Sequence, residues 1–140
     1  IAVQTGLDNQ ANNRWCGVDW RTMESVAHKN IHVLGDSTLS APAMPKSGHM
    51  TTQHAKIAAG AIVALMSGEQ APDPMTIANT CYSFVAGNSV VHVASVHTYD
   101  AKDKTFKTVP GSGGLSAAAN ELEAKYAMAW AKNVWADALL

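Results

Sequence analysis

Residues 31–56 read IHVLGDSTLSAPAMPKSGHMTTQHAK and predict a strand, a loop and a helix in that order. The apolar run 30–34 is typical of a short strand, which Gly35-Asp36 ends. A proline-containing loop follows, and a helix is predicted from about Ser47. Its apolar residues fall on one face, and Gly68 is a suitable end. The stretch therefore predicts a strand-loop-helix fragment of an α/β domain.

A second pattern begins after Pro72 and Pro74. Three strands are predicted here, at 82–86, 89–99 and 104–109, with turns at 87–88 and 100–103. A last helix follows the glycine-rich residues 111–114, with Ser116 as its predicted cap. The fold class is thus an α/β fragment in residues 1–72 plus a small α+β lobe in residues 73–140. That lobe has a three-stranded antiparallel sheet and a C-terminal helix.

The charge balance and hydropathy exclude several classes of function. Ten basic residues stand against eleven acidic ones, and no dense basic run appears, so nucleic acid is a poor partner. The longest apolar run, 57–66, is much shorter than the ~20 residues of a membrane span. The two cysteines do not have zinc-site spacing, and the histidines do not form a clear ligand set. We therefore predict no metal site.

The segment around the predicted loop has residue types that suit a dinucleotide. Gly35 allows close backbone approach, and the Asp36 carboxylate can accept hydrogen bonds from sugar-like hydroxyls. A helix that begins near Ser47-Gly48 directs free N–H groups at electron-rich atoms. Lys46 suits a reduced, negatively charged ligand, although a solvated loop lysine is equally consistent. A plain strand-turn-helix without ligand explains the same spacing, so both interpretations stay open.

Several motifs together resemble the flavoprotein subunit of flavocytochrome c sulfide dehydrogenase. The resemblance covers nearly the whole chain in the correct order. Its motifs are Trp15-Cys16, Gly35-Asp36, MPKSG at 44–48, Gln53 with Ala55-Lys56, NTCYS at 79–83, Val109-Pro110, Gly113-Gly114, and the aromatic-rich ending 126–130. MPKSG and NTCYS are the more specific ones, because Gly-Asp occurs in many flavoproteins of the disulfide-reductase type.

This resemblance implies roles for individual residues. Asp36 would hydrogen-bond the ribityl chain of FAD, and the helix from Ser47 would direct its N-terminus at the pyrimidine edge of the flavin. Cys81 would be one half of a redox-active disulfide, whose other cysteine would lie upstream of Ile1. Trp130 would lie near the flavin.

The resemblance also implies an activity, partners and a compartment. The complete protein would oxidise sulfide and pass electrons through FAD to a monohaem or dihaem cytochrome c subunit in the periplasm. The chain would be its carboxy-terminal part and would depend on the missing amino-terminal part of the same flavoprotein. The Gly-x-Gly-x-x-Gly turn for the FAD pyrophosphate is absent, since Gly111-Ser-Gly-Gly lacks a third glycine. We therefore expect the isolated chain to be inactive and to bind FAD weakly or not at all.

Two alternatives remain open from the sequence. The chain could be a fragment of a sulfide:quinone or NADH-type flavoprotein, although its last helix is highly charged for a membrane-seeking surface. It could instead be a non-catalytic interaction lobe that docks through the apolar stripe of its last helix, which consists of Leu122, Tyr126, Trp130 and Val134. We also expect exposed apolar surface and self-association of the isolated fragment.

Overall fold

A computed structural model describes residues 1–10, 13–74 and 76–139. The elements in chain order are helix α1 Ala2–Thr5, strands β1 Val18–Asp19 and β2 Glu24–Ser25, a 3-10 turn at Gly35–Ser37, helix α2 Gly48–Met66, strands β3 Ile77–Ala86, β4 Ser89–Asp100, β5 Thr105–Thr108 and β6 Gly114–Leu115, and helix α3 Glu121–Leu139. The mixed helix and antiparallel-sheet architecture predicted from the sequence is confirmed.

The main sheet is antiparallel and is built around β4. β3 pairs with one edge of β4, and β5 and then β6 pair with the other. The turn at 87–88 joins β3 to β4, and Gly87 has a φ of 47°, which glycine adopts without strain. The predicted sheet of three strands has a fourth, β6, which the sequence pattern missed. It has two residues and begins with glycine, so it carries no alternating pattern.

Residues 30–34 differ from the strand that their apolar pattern predicts. They form one isolated bridge, between His32 and Glu24. The flanking hydrogen bonds also return to the same short segment, with Val33 N–H donating to Met23 O at 2.9 Å. A strand needs an extended neighbour along its length, and residues 23–25 are too few to supply one. The strand-loop-helix is therefore an irregular extended segment, a 3-10 turn and α2.

The hydrophobic core draws on residues from both sides of the predicted boundary at 72. Its buried members are Trp20, Met23, Ala41, Met44, Met50, Ile57, Ala58, Ile77 and Phe106. The Trp20 ring lies edge-on to Phe106, with centroids 5.9 Å apart. Arg21 also donates from Nη2 to the carbonyl of Ala71 at 2.8 Å. The sheet and the N-terminal residues therefore pack as one cluster around α2.

The start of α3 differs from the predicted cap. Asn120, not Ser116, caps the helix, because its Oδ1 accepts the N–H of Glu123 at 3.0 Å. The Ser116 hydroxyl instead donates to the Glu123 carboxylate at 2.6 Å and accepts the His92 N–H at 2.7 Å. Ser116 thus ties α3 to β4. Within the described ranges, no helix is long and apolar enough to cross a membrane.

Candidate functional site

A cavity of about 320 Å³ lies where the N-terminus of α2 meets β3 and α3. It is lined by Ser47, Gly48, His49, Thr80, Cys81, Tyr82, Phe84, Ala127, Met128, Trp130 and Ala131. Four of the residues that the sequence singled out, Ser47, Gly48, Cys81 and Trp130, therefore come together here, although they span more than half of the chain. We call this space the Cys81 cavity.

The N-terminus of α2 presents free backbone donors to the Cys81 cavity. Ser47 is the N-cap: its Oγ accepts the Met50 N–H at 3.1 Å, and its carbonyl accepts the Thr51 N–H at 2.9 Å. Within the described residues, the N–H groups of Gly48 and His49 have no hydrogen-bond acceptor. These two donors and the helix dipole favour an electron-rich ligand atom.

Side chains of α2 hold β3 at this position. Gln53 accepts the N–H of Ala78 at 3.0 Å and donates to its carbonyl. His49, one helical turn earlier, accepts the Thr80 N–H on Nδ1 at 3.1 Å. These bonds satisfy backbone groups on the edge of β3 that does not face β4. The strand therefore passes directly over the start of α2, which brings Cys81 to the cavity.

The two cysteines have different environments. Cys81 is partly exposed and lines the cavity, whereas Cys16 is only 2% exposed. Both are free thiols, so they are not bonded to each other. Burial, assisted by the charge of Asp8, raises the pKa of the Cys16 thiol. A thiol-specific reagent can therefore reach Cys81 more readily than Cys16.

Trp130 forms the α3 wall of the cavity. Its ring lies 5.3 Å, centroid to centroid, from the His49 ring, at an interplanar angle of 39°. Trp130 and His49 also line a larger groove of about 670 Å³ between α2 and α3. The aromatic pair thus stands between the two spaces and is partly exposed to both. Sequence reasoning found Trp130 but did not predict any role for His49.

Gly35 lies in a separate turn against the side of α2. It has a φ of 62° and is buried, and its N–H donates to Nδ1 of His54 at 3.2 Å. A Cβ at this position would lie 2.4 Å from Oγ1 of Thr51. The close approach that this glycine permits is therefore made to α2 of the same chain.

Asp36 belongs to this turn and Lys46 lies beside it, and neither lines the Cys81 cavity. Lys46 donates from Nζ to the carbonyls of Asp36 at 2.8 Å and Thr38 at 2.6 Å. Its ammonium also lies 3.9 Å from the centroid of the Trp15 ring, a cation–π contact. Burial lowers the pKa of Lys46, while the Asp36 charge opposes that shift. Lys46 therefore closes the loop, and Asp36 is exposed.

No group of three or more metal-binding side chains occurs in residues 1–10, 13–74 and 76–139. Sequence reasoning also missed the contacts of Asn79 and Gln53. Both stand inside motifs quoted above, but nothing in the sequence shows which backbone or side chain each one contacts. The spacing of His49 and Gln53, four positions apart in a predicted helix, was the available signal.

Comparison with known protein families identifies the class of protein. Residues 72–139, which include β3 to β6 and α3, match a family described as flavocytochrome c sulphide dehydrogenase, flavin-binding. The chain thus carries a flavin-binding segment of a flavoprotein oxidoreductase. Residues 72–139 are thus similar to the flavocytochrome c sulphide dehydrogenase family, and the resemblance drawn from NTCYS and the aromatic-rich ending is confirmed.

Proposed function

We propose that this chain is the carboxy-terminal part of an FAD-dependent enzyme that oxidises sulfide and delivers electrons to a cytochrome c subunit. The single observation that supports this best is the Cys81 cavity, where a free cysteine and a helix start with two unpaired N–H groups share one space. The family match points to cytochrome, and not quinone, as the acceptor. The proposal includes a periplasmic location, which is the compartment that the sequence resemblance implies.

The residues of the cavity have distinct tasks in this proposal. The N–H groups of Gly48 and His49 would hold the electron-rich edge of the flavin, and Trp130 would border it. FAD, when bound, takes up a pair of electrons and releases them one at a time. Asp36, with the turn that Gly35 and Lys46 hold in place, would contact a more distant part of FAD.

Cys81 would provide one sulfur of a disulfide, and the rest of the flavoprotein would supply the other. Hydrosulfide attacks that disulfide, a new S–S bond forms on one cysteine as a persulfide, and the old S–S bond breaks. The second cysteine leaves as a thiolate that carries the electron pair. Partial exposure of Cys81 suits this exchange, since hydrosulfide must reach the sulfur.

The test uses the complete flavoprotein with its cytochrome subunit. Cys81→Ser is expected to lower sulfide-dependent cytochrome reduction by about a thousandfold or more, because a reacting sulfur is lost. The visible absorbance of bound flavin should remain, since the thiol does not anchor FAD. Cys16→Ser is the matched control and should keep both properties.

Two results would contradict the proposal. Sulfide-dependent cytochrome reduction at the normal rate in Cys81→Ser would exclude a reacting role for this cysteine. Normal flavin content without any sulfide-dependent reduction in the unmodified protein would indicate another substrate or a non-catalytic interaction lobe.

A further inference from the structure

One buried amide connects the cysteine to the start of α2. Asn79 is 2% exposed and precedes Cys81 by two residues on β3, so both side chains point to the same face of the strand. Its Oδ1 accepts a hydrogen bond from Ser47 Oγ at 2.5 Å, and its Nδ2 donates to Cys81 Sγ at 3.3 Å. The N-cap of α2 and the thiol are therefore joined through a single side chain.

The neighbours of Asn79 determine which way its amide points. Ser47 Oγ accepts the Met50 N–H, and its own hydrogen is then free to be donated. The acceptor for this hydrogen is the amide oxygen, which leaves the NH₂ group as the amide's free donor toward the sulfur. The sulfur lies 3.3 Å from this nitrogen and 3.6 Å from the oxygen, to which a thiol could donate. A thiolate has no hydrogen and only accepts, so the shorter N–H contact suits the thiolate, while the oxygen already accepts from Ser47.

We propose that Asn79 is a positioning residue that holds Cys81 beside the α2 N-terminus and stabilises its thiolate. This inference rests on the proposed function, because it concerns the same cysteine. It adds a residue that stabilises the thiolate, the form in which a cysteine leaves when hydrosulfide opens the disulfide. A purely structural role, in which Asn79 only supports the helix cap, predicts different results in the experiment below.

The experiment measures the alkylation rate of Cys81 by iodoacetamide at different pH values. It uses the full chain with Cys16→Ser, so that Cys81 is the one thiol that iodoacetamide can alkylate. Asn79→Asp keeps an oxygen for the Ser47 hydroxyl but places an oxygen where the NH₂ group faced the sulfur. At neutral pH the rate should fall by about tenfold, the size expected for losing a hydrogen bond to a charged group. The pH midpoint of alkylation should move upward, while the plateau at high pH stays unchanged because access is unchanged.

Two further variants separate positioning from support of the fold. Ser47→Ala removes the helix cap and the hydroxyl that orients the amide, but it keeps the Asn79 side chain beside Cys81, so its midpoint should move less than that of Asn79→Asp. Asn79→Ala removes the donor without adding charge, so its midpoint should lie between those of the unmodified protein and Asn79→Asp. This variant also serves if Asn79→Asp does not fold. The other titratable side chains that line the cavity, His49 and Tyr82, are the same in every variant.

The proposal is overturned if both Asn79 variants keep the original midpoint, or if Ser47→Ala moves it as far as Asn79→Asp does. The assay contains neither sulfide nor flavin. Its outcome is therefore independent of the Cys81→Ser test, and failure of one proposal can be distinguished from failure of the other.

Discussion

Helices α2 and α3 each have 19 residues, but they bury very different side chains. The buried residues of α2 are Met50, His54, Ile57, Ala58 and Ala61, whereas those recorded for α3 are Ala124 and Ala127. The larger side chains of α3, such as Tyr126 and Trp135, are exposed. The two helices are thus alike in length and unlike in function: α2 organises the core, and α3 supplies a wall of the Cys81 cavity.

The difference shows that an apolar stripe on a helix does not reveal what the stripe packs against. Apolar residues recur with helical spacing on both helices. On α3, Leu122 and Tyr126 of the predicted stripe are exposed, and Trp130 and Val134 are half-buried. Alanines allow the helix to lie close to the sheet, while the larger residues face outward. The exposed apolar surface expected from the sequence is therefore present on this helix.

The largest expected effect is a difference in the free energy of unfolding between two variants, each of which replaces a methionine on one helix. Met50→Ala should lower the free energy of unfolding by about 2–5 kcal/mol, because Met50 is 1% exposed and its loss leaves a cavity. Met128→Ala, the matched control on α3, should change it by less than about 1 kcal/mol, because Met128 is 49% exposed. Urea unfolding of both variants measures this contrast. Equal losses would show that α3 is buried as deeply as α2.

The next largest effect is a pH dependence of the free energy of unfolding, which arises from His54 of α2. His54 is 3% exposed, its Nδ1 accepts the Gly35 N–H, and burial lowers its pKa from 6.5 to about 4. The Asp36 charge opposes that shift, and Lys46 adds to it. The unfolded chain thus binds a proton at a pH where the folded chain does not. The stabilisation is complete above about pH 6.5 and is lost as the pH falls toward 4, which costs about 2 kcal/mol between pH 7 and pH 5.

His54→Asn isolates this contribution. An asparagine oxygen can accept the Gly35 N–H in place of Nδ1, but the side chain does not titrate. The variant should be less stable at pH 7, and its loss of stability between pH 7 and pH 5 should be smaller by about 2 kcal/mol. His97, whose pKa burial also lowers, titrates in the same direction and is present in both proteins. An unchanged pH dependence in the variant would mean that folding does not lower the pKa of His54.

The sequence predicts the local elements of this molecule much better than the contacts that assemble them. The helix from Ser47 and the hairpin around residues 87–88 follow from capping, periodicity and turn residues, which act over a few positions. The predicted strand at 30–34 failed because a strand depends on a neighbour that periodicity does not show. Asn120 replaced Ser116 as the cap of α3 because the side chain of Ser116 is held by Glu123 and His92.

The candidate site was predictable to the extent that residue types and motifs carry chemistry. Cys81 and the start of α2 were found from the sequence, and the structure places them in one cavity. The residues that bring them together were not found. Asn79 and Ser47 are 32 positions apart, and Gln53 and Ala78 are 25 apart. Hydrogen bonds over such separations depend on the fold and leave no periodic signal in one sequence.

The smallest expected effect concerns an amide on each helix. Gln53 of α2 pairs with both the N–H and the carbonyl of Ala78, so Gln53→Ala leaves two backbone groups of β3 without these partners. Water can reach the half-buried edge and replace part of the loss, so the free energy of unfolding should fall by about 1–2 kcal/mol. Asn133 of α3 is exposed, and Asn133→Ala should be neutral or stabilise slightly, because alanine has the higher helix propensity.

Urea unfolding gives the change in the free energy of unfolding for both variants, and hydrogen exchange of the Ala78 amide gives the local effect on β3. Faster exchange at Ala78 in Gln53→Ala alone would show that polar side chains of α2 hold β3 in place. Unchanged exchange would mean that Gln53 does not protect the Ala78 amide.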